Sequence, residues 1–141
     1  MTTMTARPEG ATFVRLLVVL GICHLLNDLI QALIPAIYPI LRAEFALDLV
    51  QIGMITMTFQ IAGSLFQPLV GLYTDRRPLP YSAAVGMGFT LTGITALAFA
   101  PSYAMVLASV ACIGIGSSIF HPEATRMARY AAQGRAGLAQ G

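Results

Sequence analysis

The amino-acid sequence predicts an all-α membrane protein with four transmembrane helices. Three observations carry that prediction. Of the 141 residues, 57% are hydrophobic and only 10% are charged, against ~25% charged in an ordinary soluble domain. Four apolar segments have lengths near the about 20 residues that cross a bilayer. The links between them are short, so neighbours run antiparallel and no soluble domain fits between them. The net charge of +2 is too small to suggest a nucleic-acid partner.

Residues 1–12 read as a cytoplasmic tail, and the first span covers about 13–41. That apolar run far exceeds the about 7–15-residue core of a signal peptide, and no small-residue cleavage site follows, so it reads as an uncleaved span. Pro35 and Pro39 fall in its last turns, where a missing N–H predicts a kink or an early end. The second span covers about 49–73. Asp48 and Gln51 have the spacing of a capping box at its start. The third covers about 80–100 and opens on Pro80, a residue suited to a first helical position. The fourth covers about 102–125, with a helix able to run on to Tyr130. Residues 131–141, AAQGRAGLAQG, read as a cytoplasmic loop and the start of a fifth helix.

All eight basic residues are arginines. With the N-terminus inside, Arg7, Arg15, Arg76, Arg77, Arg126, Arg129 and Arg135 are cytoplasmic and Arg42 alone is outside. The positive-inside bias therefore selects that orientation. Lipid gives no hydrophobic drive for helix association, so close contact needs small residues. Ser82, Gly86, Thr90 and Gly93 supply them in the third span, Ala108, Cys112 and Gly116 in the fourth, and Gly53, Gly63 and Gly71 in the second. Cys23 and Cys112 lie inside apolar runs without metal-type spacing and read as small apolar filler.

Polar residues inside these spans are the candidates for function. An ionisable group at bilayer depth costs about 2.5–3.5 kcal/mol on insertion scales. Asp28 lies deep in the first span, with His24, Asn27 and Gln31 at offsets that put all four on one helix face. The face can line a cavity, with Asp28 carrying a proton or binding a cation, or it can tie helices together. Thr56, Gln60, Ser64 and Gln67 form a second stripe on the second span. They can line a substrate path or bond neighbouring helices. In the fourth span, GIGSSIFHPEATR (114–126) brings Pro122 beside His121, Glu123 and Arg126. These three are expected to crowd the inner end of a bent helix as a gate or proton site, or to anchor it at the interface. Glu123 and Arg126, three residues apart, can pair. The inner loop GLYTDRRP (71–78) offers Gly71, Asp75, Arg76 and Arg77. No nucleophile–base pair or metal-spaced cluster stands elsewhere, so an enzyme is not expected, and neither a cofactor nor a metal is called for.

The inner loop resembles that of major facilitator superfamily transporters, with Gly71, Asp75 and Arg76 matching its start. Pro78, Leu79 and Pro80 depart from the glycine and basic residues usual at its end. The stretches HLLNDLIQALIPAIYPIL (24–41), QIGMITMTFQ (51–60), QPLVGLYTDRRP (67–78) and GIGSSIFHPEATRMAR (114–129) resemble the fosmidomycin resistance branch of that superfamily. The resemblance implies two six-helix halves in a bacterial inner membrane and export of a small-molecule drug in exchange for protons. This chain then corresponds to the N-terminal third, and the remaining helices of the transporter are its partners together with lipid, substrate and protons. It further implies that the first and fourth spans line the cavity and that Asp75 latches the transporter halves. Asp28 and Glu123 are then the protonation candidates, with His24 and His121 as modulators. The competing expectations are a truncated remnant or four-helix scaffold without transport, and a small four-span exporter working as a dimer.

Overall fold

The computed structural model describes residues 10–76, 79 and 81–132. The tail before Gly10, Arg77, Pro78 and Pro80 of the inner loop, and residues 133–141 lie outside the described residues. The described chain forms five helices and no strand: α1 (Gly10–Ala36), α2 (Tyr38–Glu44), α3 (Leu49–Arg76), α4 (Ser82–Ala98) and α5 (Tyr103–Ala132). Three stretches are long and apolar enough to cross a membrane, Val14–Ala36, Leu49–Arg76 and Tyr103–Arg129, and Ser82–Ala98 is a shorter apolar helix. At 1.5 Å per residue, the 17 residues of α4 span about 26 Å, just short of a typical hydrocarbon core.

The first apolar run is divided. Pro35 lies inside α1, Pro39 opens the short α2, and Ile37 stands between the two helices. Each proline withholds one backbone N–H, which weakens the ladder on both sides of that break. α3 and α5 instead run through Pro68 and Pro122 as single helices. Neighbouring helices and side chains can re-satisfy the freed carbonyls in a membrane bundle. Asp48 caps α3 in the reciprocal way: Gln51 N donates to Asp48 Oδ1 at 2.7 Å, and Asp48 N donates to Gln51 Oε1 at 2.9 Å.

α5 is the central helix. Half of its membrane window is buried, against 11% for α1 and for α3. Against α4 it packs backbone to backbone. A Cβ placed on Gly116 would stand 2.6 Å from Gly86 O and from Thr90 N, and one on Gly114 would stand 2.7 Å from Phe59 O of α3. Both distances are far inside van der Waals contact, so only glycine permits this approach of the backbones. On α4 the small residues Ser82, Gly86, Thr90 and Gly93 are all buried. Two other members of the expected stripes behave differently: nothing lies within 4 Å of a Cβ on Gly53, and Ala108 is exposed while Ser109, Val110 and Ile113 take the buried positions.

The pairings set the directions. Tyr103 Oη donates to Gln51 O at one end of α3 and α5, and Arg126 meets Asp75 at the other, so these two helices run parallel. Gly86 abuts Gly116 while Gly93 abuts Ser109 and Ile113, so α4 runs antiparallel to α5. α1 is antiparallel too, with His24 against His121 and Ile34 in the apolar core with Val106 and Val110. That core gathers Ile34, Leu41, Leu47, Ile55, Leu97 and Val106 at the end where α2 turns into α3. The His24–Asp28–His121 and Glu123–Arg126–Asp75 groups lie toward the opposite end.

Candidate functional site

The first polar group forms where α1 crosses α5. His24, Asn27, Asp28 and Gln31 lie along one side of α1, but they do not share one environment. Asn27 is fully buried against α5, whereas the side chains of His24 and Asp28 are 46% and 51% exposed. At 100° per residue, Asn27 faces the neighbour and Asp28 faces the open side. The Asp28 carboxylate stands between two imidazoles: His24 Nε2 lies 3.5 Å from Oδ2 and His121 Nε2 lies 3.9 Å from Oδ1. The two rings meet edge to face with centroids 4.9 Å apart, and Phe120, buried, backs them both at 6.0 Å.

Two amides converge on the same imidazole nitrogen. Asn27 Nδ2 is 3.4 Å and Gln31 Nε2 is 3.2 Å from His121 Nε2, and Gln31 Nε2 also donates to Asp28 Oδ1 at 3.4 Å. With both amides donating, His121 Nε2 must accept and the ring proton sits on Nδ1. Among the described residues, Asn27 Oδ1 is buried without a hydrogen-bond partner. Such an atom costs about 1–3 kcal/mol.

The second group lies at the arginine-rich end. Arg126 on α5 donates from Nη1 to Glu123 Oε1 at 3.1 Å and to Oε2 at 3.4 Å. Its Nη2 donates to Thr74 Oγ1 at 2.7 Å and to Asp75 Oδ1 at 2.6 Å. Thr74 in turn donates to Val70 O at 2.9 Å. Glu123 is buried at 4% exposure, whereas the side chain of Asp75 is 71% exposed. One guanidinium thus holds a buried carboxylate on its own helix and ties α5 to the last turn of α3. Gly71 sits against Pro122, with a hypothetical Cβ 3.9 Å from Pro122 Cβ.

A family model described as Major Facilitator Superfamily matches residues 20–141. The chain belongs to the Major Facilitator Superfamily. Among its relatives, the fosmidomycin resistance protein of Escherichia coli (strain K12) is 57% identical over 121 residues, 86% of this chain and 30% of that protein. An uncharacterized MFS-type transporter, YfnC, of Bacillus subtilis (strain 168) is 48% identical over 136 residues, 96% of this chain and 33% of that protein. The chain therefore spans about a third of the length of these relatives. No solved structure matches it. Superfamily membership makes the chain part of a multi-pass membrane transporter family rather than an enzyme family.

Within this superfamily segment, the third expected constellation divides. His121, Glu123 and Arg126 do not crowd together at the inner end: His121 joins the α1 cluster, while Glu123 and Arg126 join the end of α3. Residues two apart on a helix differ by about 200°, so His121 and Glu123 face opposite sides of α5. Two partners escape a linear reading. His121 completes the Asp28 cluster from 97 positions away from His24 in the chain, and Thr74 completes the Arg126 cluster. Both chain histidines, the whole complement of two, meet here, and that rarity is the signal that could have suggested pairing.

The stripe on α3 remains open. Thr56, Gln60, Ser64 and Gln67 are all exposed among the described residues. Thr56 alone is engaged, with its Oγ1 2.7 Å from Tyr38 Oη of α2. Arg76 ends α3, exposed, and Arg77 lies outside the described residues.

Proposed function

We propose that this segment supplies the proton-carrying half-site of an exporter that moves a small molecule out of the bacterial cytoplasm across the inner membrane. The observation that carries this reading is the Asp28 carboxylate, half exposed in an apolar helix, with an imidazole at each oxygen. A carboxylate placed there is costly unless it serves a path. Asp28 takes and releases the proton. His24 and His121 hold its charge, and Asn27 and Gln31 follow the change, since each amide can present either its N–H₂ or its oxygen to His121 Nε2.

Gln60 and Gln67 on the uncovered side of α3 offer neutral donors and acceptors to a substrate. Glu123, placed by sequence beside Asp28 as a protonation candidate, is committed to Arg126 in two hydrogen bonds, which favours a structural part for it. Asp75, Gly71, Arg76 and Arg77 form the latch region, with Arg126 as its anchor on α5. Arg15, Arg76, Arg126 and Arg129 gather at the end of the bundle where α1 begins, and Arg42 stands at the other, which supports a cytoplasmic N-terminus. The relative named for fosmidomycin resistance makes a drug of that kind the first substrate to try.

The test replaces the aligned segment of the Escherichia coli relative with this chain and measures drug resistance and proton uptake in everted vesicles. Asp28→Asn should abolish drug-driven proton movement while the protein still reaches the membrane. Normal export by the Asp28→Asn chimera would remove Asp28 from the coupling path.

A further inference from the structure

We propose that His24, Asp28 and His121 form a binding site for a divalent transition cation of the zinc class. The donor atoms are already gathered. His24 Nε2 and His121 Nε2 lie 3.5 and 3.9 Å from the two oxygens of Asp28, and one donor atom from each residue falls within 4.8 Å of the other two. Tetrahedral zinc with bonds of about 2.0–2.1 Å sets its donors about 3.3 Å apart. The site must therefore contract by at most about 1.5 Å, which small rotations of three side chains supply without moving a helix.

Further features fit the ion. His121 Nε2 faces two amide N–H₂ groups as an acceptor, so that nitrogen carries no proton and can ligate an ion once the ion displaces the two amides. Among the described residues both ion-pair partners of Asp28 are imidazoles, so with neutral rings the site carries one uncompensated negative charge. A divalent cation reverses it. Two nitrogens and one carboxylate oxygen suit zinc, copper or nickel rather than magnesium or calcium, which prefer oxygen throughout. The side chains are 46%, 51% and 24% exposed, so an ion enters from the open side. Three protein ligands leave a fourth position for water or another oxygen donor.

This inference stands apart from the transport reading, because it is measured by binding to the chain alone. The chain is purified in detergent without tag histidines and titrated with Co²⁺, then with Zn²⁺. One equivalent of Co²⁺ should bind with visible d–d absorption, and one equivalent of Zn²⁺ should displace it. His24→Ala, Asp28→Asn and His121→Ala should each weaken binding at least 10-fold while far-ultraviolet dichroism stays helical. Should His121→Ala lose helicity, His121→Gln, which keeps bulk and polarity, gives the same reading. Three outcomes overturn the proposal: no saturable Co²⁺ binding by the helical wild-type chain, affinity unchanged in both histidine variants, or a sulfur-to-cobalt charge-transfer band that places the ion on Cys23 or Cys112.

Discussion

Arg126 holds Glu123 more tightly than it holds Asp75, and the difference is measurable. Glu123 is 4% exposed and receives two hydrogen bonds from one guanidinium nitrogen. Removing Arg126 leaves that carboxylate buried without a cation, and breaking a buried pair in this way costs about 3–5 kcal/mol. Asp75 makes the shorter contact, 2.6 Å, but its side chain is 71% exposed. Water takes over most of what the arginine gives it, so an exposed pair contributes about 0.2–1 kcal/mol. Distance alone would rank the two carboxylates the other way; burial decides.

The assay is equilibrium unfolding of the chain in mixed micelles, followed by dichroism, for Arg126→Ala, Glu123→Gln, Asp75→Asn and the Arg126→Ala/Glu123→Gln double variant. Arg126→Ala should cost about 3–5 kcal/mol and Asp75→Asn less than about 1 kcal/mol. The double variant should be more stable than Arg126→Ala alone, because the orphaned charge is gone. Additive losses in the double variant, or an Asp75→Asn loss as large as that of Arg126→Ala, would refute the ranking by burial.

Three other outcomes follow from the packing. Gly116→Ala should destabilise the α4–α5 pair by about 1–3 kcal/mol, seen as a lowered unfolding midpoint, since its Cβ meets Gly86 O and Thr90 N at 2.6 Å; Gly53→Ala, with open space around it, should be near neutral in the same measurement. Asp48→Ala should cost about 1 kcal/mol by loss of the reciprocal cap, and amide exchange at the start of α3 should quicken. Ala46 holds φ at +50° in the turn before α3; left-handed backbone costs a non-glycine residue about 1–2 kcal/mol. Ala46→Gly should therefore raise the melting midpoint, because the extra freedom of glycine when unfolded, about 0.5–1 kcal/mol, offsets only part of the gain; a lowered midpoint would refute the strain.

What the chain makes legible is what is local. Asp48 and Gln51 are three residues apart, so their capping box can be read by spacing alone, and both its hydrogen bonds are present. The all-α membrane architecture follows from apolar length, which a bilayer turns directly into helices. The α4 stripe is legible for the same reason, because a four-residue recurrence of small side chains marks one face. Partners across helices are different. Nothing in the order of residues brings His121 to Asp28 and sends Glu123, two positions on, to Thr74 and Asp75. That separation needs the rotation of α5 between α1 and α3. The split of Asn27 from Asp28 is also invisible in a helical wheel, which shows a shared side but not where the neighbour's backbone lies.

The two polar groups have the same charge imbalance with different surroundings. Asp75, Glu123 and Arg126 together carry one negative charge in excess, but the excess rests on Asp75, which water screens. Asp28 with neutral imidazoles also carries one in excess, and besides His24, Asn27 and Gln31 its helix neighbours are Leu25, Leu26 and Leu29. There is no arginine within ion-pair distance of it among the described residues. The demand for a positive partner is therefore concentrated at Asp28. The two groups lie on one helix, His121 and Arg126 being five residues or about 7.5 Å of rise apart with Pro122 between them. α5 is seated on α4 through glycine contacts that leave no slack. The tight glycine contacts reach only to Phe120, ahead of Pro122, so a change of charge at Asp28 that alters the grip of α1 on His121 can be taken up by α1 or at the proline.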